Sequence, residues 1–192
     1  MRALLIRHGQ TRGNAAEEFI GSTDEPLSPA GREKAENAKK DPSVKRVFVS
    51  PMLRTRETAS ILFPNAEQTI VPDLREMDFG DFERLKAADM ENDPRYIAWS
   101  DCAGLEGPPG GESRGDVASR AVPAFTEALR GSSGEDAVFV IHGAVIMVLM
   151  DVLGEPKKDF FDWWTPNIGG FSVECIEKDG SITLTDVKRI QF

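Results

Sequence analysis

Short apolar runs alternate along this chain with longer mixed stretches, and each run stops abruptly at polar residues. Ala3-Leu4-Leu5-Ile6 runs straight into Arg7-His8-Gly9, and Ala137-Val138-Phe139-Val140-Ile141 runs into His142-Gly143. Apolar runs of about 4–8 residues read as buried strands. The pattern predicts further strands over Val44–Val49 and Thr69–Val71. Helices are predicted from Ser28-Pro29, an N-cap and a tolerated first position, to Lys40, and from Met52 to Phe63. Others are predicted mainly over residues 84–99, from Ser113 to Leu129, and from His142 to near Gly154. Pro156 to Trp164 reads as a short helix anchored by Phe160, Phe161, Trp163 and Trp164. Gly170–Ile176 and Ser181–Val187 read as a hairpin around Lys178-Asp179-Gly180. Residues 9–27 read as a long functional loop, and Ser100–Glu112, with its glycines and prolines, as a flap.

Strand–helix alternation of this kind predicts an α/β fold: a three-layer α/β/α sandwich on a mostly parallel central sheet, closed by a C-terminal hairpin. The expected organisation is one domain over residues 1–192, with a flap or insertion at about 80–112. No repeat or low-complexity tract interrupts it.

Composition narrows the function classes. A net charge of −9 disfavours general attraction to nucleic acid or to an anionic membrane. The longest apolar stretch, Ala137–Met150, is broken by His142-Gly143 and is too short to cross a bilayer. Four apolar residues near the start are too few for a signal peptide, so a cytoplasmic location is expected. Cys102 and Cys175 are isolated, and no Cys/His cluster suggests a metal site.

The candidate chemistry sits where the apolar runs stop. His8 and His142 are the chain's two histidines, and each follows a predicted strand and precedes a glycine. A lone histidine beside an apolar run is ordinarily a boundary residue. Two in the same setting, one of them preceded by Arg7, point to a site at the carboxyl ends of parallel strands, where α/β sheets bind ligands. Arg54 is predicted in the first turn after the Val44–Val49 strand, whereas Arg56 reads as surface. Two guanidiniums and two imidazoles would form a cationic pocket suited to a phosphoryl group, with an imidazole as nucleophile. Protonating the leaving alkoxide would then require a nearby carboxylic acid.

Five blocks of sequence carry a family resemblance. Leu5-Ile6-Arg7-His8-Gly9-Gln10-Thr11-Arg12-Gly13-Asn14 resembles the signature of the histidine phosphatase superfamily, the phosphoglycerate mutase-like proteins. Ser50-Pro51-Met52-Leu53-Arg54-Thr55-Arg56-Glu57-Thr58-Ala59, Leu74-Arg75-Glu76-Met77-Asp78-Phe79-Gly80, Pro109-Gly110-Gly111-Glu112-Ser113 and Ile141-His142-Gly143 resemble its later blocks, in order. The resemblance implies that His8 is the phosphorylated nucleophile. It implies that Arg7, Arg54 and His142 bind the phosphoryl group and that Glu76 is the general acid. Asn14 and the region around Gly21, with Thr11 and Gly143 from the matching blocks, would line the pocket. Glu112 is a secondary acid candidate near the flap. No metal or cofactor is implied.

The implied activity is a phosphomonoesterase on a small phosphorylated metabolite. The Phe79-Gly80-Asp81-Phe82-Glu83 and Tyr96-Ile97-Ala98-Trp99 segments look most like α-ribazole-5′-phosphate phosphatases. The alternatives are a phosphoglycerate-type mutase, whose extra insertions the chain lacks, and a non-catalytic phospho-ligand binding module. Where the family often has a serine before the second histidine, this chain has Ile141, and no arginine follows nearby. That departure bears on substrate contacts rather than on phosphoryl chemistry. Trp99, Trp163 and Trp164 read as burial candidates, with a substrate platform or a homodimer interface left open.

Overall fold

The computed structural model describes residues 1–192. Six strands form one sheet: β1 (Arg2–Arg7), β2 (Arg46–Val49), β3 (Glu67–Ile70), β4 (Ala137–Ile141), β5 (Gly169–Lys178) and β6 (Ser181–Gln191). Their spatial order is β3-β2-β4-β1-β5-β6. The first four are mutually parallel, and β5 and β6 close the far edge as an antiparallel hairpin.

Six α-helices accompany them: α1 (Arg12–Ala15), α2 (Pro29–Asn37), α3 (Leu53–Leu62), α4 (Pro94–Asp101), α5 (Arg114–Arg130) and α6 (Gly143–Leu153). Side chains alternate across each strand, so the sheet has two cores. On one face Ala3, Leu5, Ala137, Phe139 and Ile141 pack with Phe125 and Leu129 of α5 and Val145 and Leu149 of α6. On the other, Ile6, Val47, Val49, Val138 and Val140 pack with Ala59 and Leu62 of α3 and with Phe63. All five residues of β4 are buried, which is why its sequence is uniformly apolar rather than alternating.

This topology sets the place of the site. From β1 the chain crosses one face of the sheet towards β2, and from β4 it crosses the opposite face through α6. The crevice between the ends of β1 and β4 is therefore a switch point, where backbone departs in opposite directions and leaves room for a ligand.

Several expected elements differ in detail. The helical stretch over residues 84–99 is two pieces rather than one: a 3-10 turn at Ala87–Met90 is separated from α4. Pro94 forces the break, because the residue before a proline is kept out of helical conformation; Asp93 is extended and caps Arg95 N–H instead. The 9–27 loop contains the short helix α1, closed by a capping box between Thr11 and Asn14. Helix α2 stops at Asn37 rather than Lys40, since Ala38 is extended. The Pro156–Trp164 helix is a single 3-10 turn, Phe160–Trp163, of which Trp163 alone is fully buried. Phe161 and Trp164 are 63% and 55% exposed and anchor nothing in the core.

Candidate active site

Arg7 of β1 pairs with Ile141 of β4, so the residues just beyond, His8 and His142, are neighbours across the strand ends. Their ring centroids lie 5.2 Å apart, edge to face. His8 N–H donates to Ile141 C=O at 3.0 Å, which carries the strand pairing into the site itself.

Both histidines are buried, and their ring nitrogens are not equivalent. Nδ1 of His8 lies 2.7 Å from the carbonyl oxygen of Gly9. A carbonyl only accepts, so Nδ1 carries the proton and Nε2 keeps its lone pair. Burial, then the positive charges of Arg54 and Arg7, push the His8 pKa well below its ordinary value, so the ring is neutral. The Gly9 backbone is fixed in turn by Gly9 N–H donating to Thr58 Oγ1 at 2.8 Å. Nε2 of His142 lies 2.6 Å from Ser50 Oγ, just past the end of β2. Burial, then Arg54, hold His142 well below its ordinary pKa as well. Its Nδ1 is buried without a partner.

The two arginines show the same incompleteness. Arg54, in the first turn of α3, is fully buried; its Nη1 donates to Thr23 C=O at 2.8 Å and its Nη2 to Gly21 C=O at 2.9 Å. Arg7 Nη1 donates to Thr165 C=O at 2.9 Å. Nε of each guanidinium is buried with no acceptor. Two guanidinium donors, Arg7 Nε and Arg54 Nε, and one imidazole nitrogen, His142 Nδ1, therefore lack partners around His8. Buried donors are normally satisfied, so such a cluster marks a place prepared for an anion.

Glu76 approaches from the segment after β3 and is 8% exposed. Its carboxylate accepts from Met77 N–H at 3.0 Å and from Ala144 N–H, in the first turn of α6, at 3.3 Å. Burial raises its pKa, against the opposing pull of the Met77 N–H, Arg54, Arg7 and the Ala144 N–H.

A cavity of about 370 Å³ opens over this cluster. Arg7, His8, Asn14, Glu76 and Gly143 line it, together with Ala144. Arg54 and His142 are fully buried at its floor, and with both imidazoles neutral the expected cationic pocket has two cations, Arg7 on the wall and Arg54 beneath it. Gly143 is close-packed against a guanidinium: a Cβ there would stand 3.3 Å from Arg7 Nε. Asn14 Oδ1 is taken by Thr11 N–H and Asn167, which leaves the NH2 half of its amide for a ligand.

Three expected pocket residues act differently. Thr11 is fully buried and caps α1 instead of lining the cavity. Gly21 holds Arg54 through its carbonyl rather than facing the cavity, and a Cβ there would meet Met77 O at 2.0 Å. Glu112 does not line the cavity either. It pairs with Arg120 through Nε–Oε1 and Nη2–Oε2 contacts, both 2.7 Å, and accepts from Asp78 N–H. Burial would raise its pKa, but Arg120 and the Asp78 N–H outweigh that and hold it below the ordinary carboxylate value. A carboxylate held ionised in this way is a poor proton donor.

Sequence reasoning missed four supports. Arg120 donates to the carbonyls of Asp73, Arg75 and Glu76, and so clamps the segment that carries Glu76. Glu83 accepts from the N–H groups of Gly21, Ser22, Thr23 and Phe79, and so pins the loop whose carbonyls hold Arg54. Ser50 positions His142, and Asn167 ties His8 C=O to Asn14. Ser50 opens the second sequence block and Glu83 closes the Phe79–Glu83 segment, which were signals; Arg120 and Asn167 carry none. The chain brings no three His, Cys, Asp or Glu side chains together at metal-binding distance.

The model of the histidine phosphatase superfamily (branch 1) matches residues 3–187. A glucosyl-3-phosphoglycerate phosphatase of Mycolicibacterium vanbaalenii is 35% identical over 186 residues, covering 88% of this chain and 79% of its own. The native structure of a mycobacterial glucosyl-3-phosphoglycerate phosphatase superposes with a TM-score of 0.81 at 26% identity, covering 100% of this chain and 97% of that one. The α-ribazole phosphatase of Shigella flexneri superposes with a TM-score of 0.79 at 24% identity, covering 96% and 94%. At that identity the second likeness speaks for the fold alone.

Proposed function

The chain belongs to the histidine phosphatase superfamily (branch 1), and from that premise we propose that it is a metal-independent phosphomonoesterase working through phospho-His8. The observation that carries this reading is the set of unpartnered buried nitrogens, Arg7 Nε, Arg54 Nε and His142 Nδ1, beside an imidazole whose Nε2 lone pair is free.

The reaction divides into two displacements. Nε2 of His8 attacks the phosphorus of the bound ester, forming an N–P bond as the ester O–P bond breaks. The proton on Glu76, favoured there by burial, passes to the leaving alkoxide and yields the alcohol. Water then attacks the phosphohistidine while Glu76, now a carboxylate, takes its proton. The N–P bond breaks, inorganic phosphate leaves, and His8 and Glu76 return to their starting forms. Arg7, Arg54 and His142 donate to the phosphoryl oxygens and stabilise the charge that spreads over them in each transition state. In the tautomer that accepts from Ser50 Oγ at Nε2, His142 carries its proton on Nδ1, the nitrogen left without a partner, and can donate it to a phosphoryl oxygen. Splitting one hard displacement into two easier ones is the advantage of the covalent route.

For the physiological alcohol, the motif resemblance favours α-ribazole 5′-phosphate, and the 35% identical relative brings a phosphorylated glucosyl-glycerate into the comparison. The test is inorganic phosphate release from a panel containing α-ribazole 5′-phosphate, sugar phosphates, 3-phosphoglycerate and p-nitrophenyl phosphate, with and without EDTA. Release unchanged by EDTA and abolished in His8→Ala is expected. Rearranged organic phosphate without release would assign a mutase instead.

A further inference from the structure

The cavity extends well beyond the phosphoryl site, and its outer wall differs in kind from its inner one. Phe19, Phe79 and Trp99 form one side. Their rings meet edge to face or tilted, with centroids 5.4 Å apart for Phe19–Trp99, 6.2 Å for Phe79–Trp99 and 5.2 Å for Phe19–Phe79. At the mouth stand Phe161 and Trp164, 63% and 55% exposed. Large aromatic side chains left in water across an opening gain nothing from folding, and a ligand that covered them would recover that apolar area.

Polar groups on the outer wall point the same way. Arg114 is the one cation there, and it is already committed: Nη2 donates to Asp151 Oδ2 at 2.8 Å and the guanidinium lies 3.7 Å from the Phe160 ring centroid. Glu18 also lines the cavity. A second anionic group on the substrate would find no free cation in the outer cavity and the Glu18 carboxyl group instead. Finally, Trp99 Nε1 is a buried donor with no acceptor, on a residue that lines the cavity.

We propose that the cavity selects phosphate esters whose alcohol carries a flat aromatic ring, held by Phe19, Phe79 and Trp99 while the phosphoryl group sits at His8, and that it disfavours esters bearing a carboxylate. This rests on the phosphatase reading for the position of the phosphoryl group, so the test reads binding separately from turnover. Affinities of His8→Ala are measured by calorimetry for ribose 5-phosphate, a purine ribonucleoside 5′-monophosphate, 2-phenylethyl phosphate and 3-phosphoglycerate. At least one ring-bearing ester binds about fivefold or more tighter than ribose 5-phosphate, the scale of one aromatic contact. In the double variant His8→Ala, Trp99→Leu, checked for an unchanged far-ultraviolet spectrum, that advantage falls towards one. A smaller advantage for both ring-bearing esters, or tighter binding of 3-phosphoglycerate than of either, would overturn the proposal. Absence of phosphate release from every ester by the wild-type protein would overturn the phosphatase reading instead.

Discussion

Arg120→Ala separates two roles for the carboxylates near the site. Arg120 is 11% and Glu112 17% exposed at the side chain, and the pair meets through two contacts of 2.7 Å. Arg120 also donates to Asp73 C=O and Arg75 C=O at 2.8 Å and to Glu76 C=O at 3.0 Å. Removing one partner of a nearly buried pair leaves the other charge uncompensated and costs roughly 3–5 kcal/mol. At this chain length each kcal/mol moves the melting midpoint by about 2–4 °C, so a fall of ~6–20 °C is expected. The same change releases the Glu76 segment, and a misplacement of about 1 Å costs on the order of 10²-fold in rate. The assay is kcat/KM, which reports the phosphorylation step, on an alkyl phosphate and on p-nitrophenyl phosphate, whose phenolate leaves without needing a proton. Arg120→Ala loses activity mainly on the alkyl ester and shares that pattern with Glu76→Gln. The reasoning is refuted if Glu112→Gln shows the leaving-group pattern at an unchanged melting midpoint, for then Glu112 would be the acid and not part of a clamp.

Two further outcomes follow from the same geometry. Glu83→Ala removes the acceptor shared by Gly21, Ser22, Thr23 and Phe79 N–H groups, so Arg54 loses its fixed carbonyl partners. Its inhibition constant for inorganic phosphate is expected to rise about tenfold or more, the scale of one charge-assisted hydrogen bond; an unchanged constant would mean that Arg54 is held without the loop. Stability of the ligand-free protein should also depend on pH. Burial and the neighbouring arginines depress both histidines, so below the ordinary value of 6.5 the unfolded chain binds protons that the folded one does not, and stability falls as pH falls. Glu76, raised by burial, acts oppositely, costing stability as pH climbs above its ordinary 4.5. Melting midpoints of Glu76→Gln, which lacks the second effect, should therefore rise from about pH 5 to about 6.5 and then level; a flat profile would contradict the buried, neutral histidines.

The histidines and Arg7 were legible because they sit at the ends of the strongest apolar runs, whereas Glu76 was named by the family resemblance alone. Parallel pairing of β1 with β4 turns two distant His-Gly dipeptides into neighbours, and no long loop has to be placed correctly for that to happen. The roles of the supports were not legible. Arg120, Glu83 and Asn167 act across 44, 62 and 159 positions of chain, through ordinary polar residues whose partners are backbone groups of loops. Glu112 shows the converse: it sits in a recognised block, yet the ion pair that keeps it charged comes from a helix position with no local signal. Thr11 likewise belongs to the first block but serves the backbone of α1. The 156–164 stretch offered four aromatic residues of similar weight, and only tertiary packing decides that Trp163 is buried while Phe161 and Trp164 flank the cavity.

The central claim is that His8 becomes phosphorylated. Its most direct test is alkaline quenching of the wild-type protein during turnover of a phosphomonoester, followed by peptide mass analysis, since a phosphoramidate survives base and is lost in acid. An acid-labile phosphoryl group on the peptide containing His8, formed fast enough to account for product release and absent from His142, is predicted. Steady release of phosphate with no modification of His8, or full turnover by His8→Ala, would contradict the account.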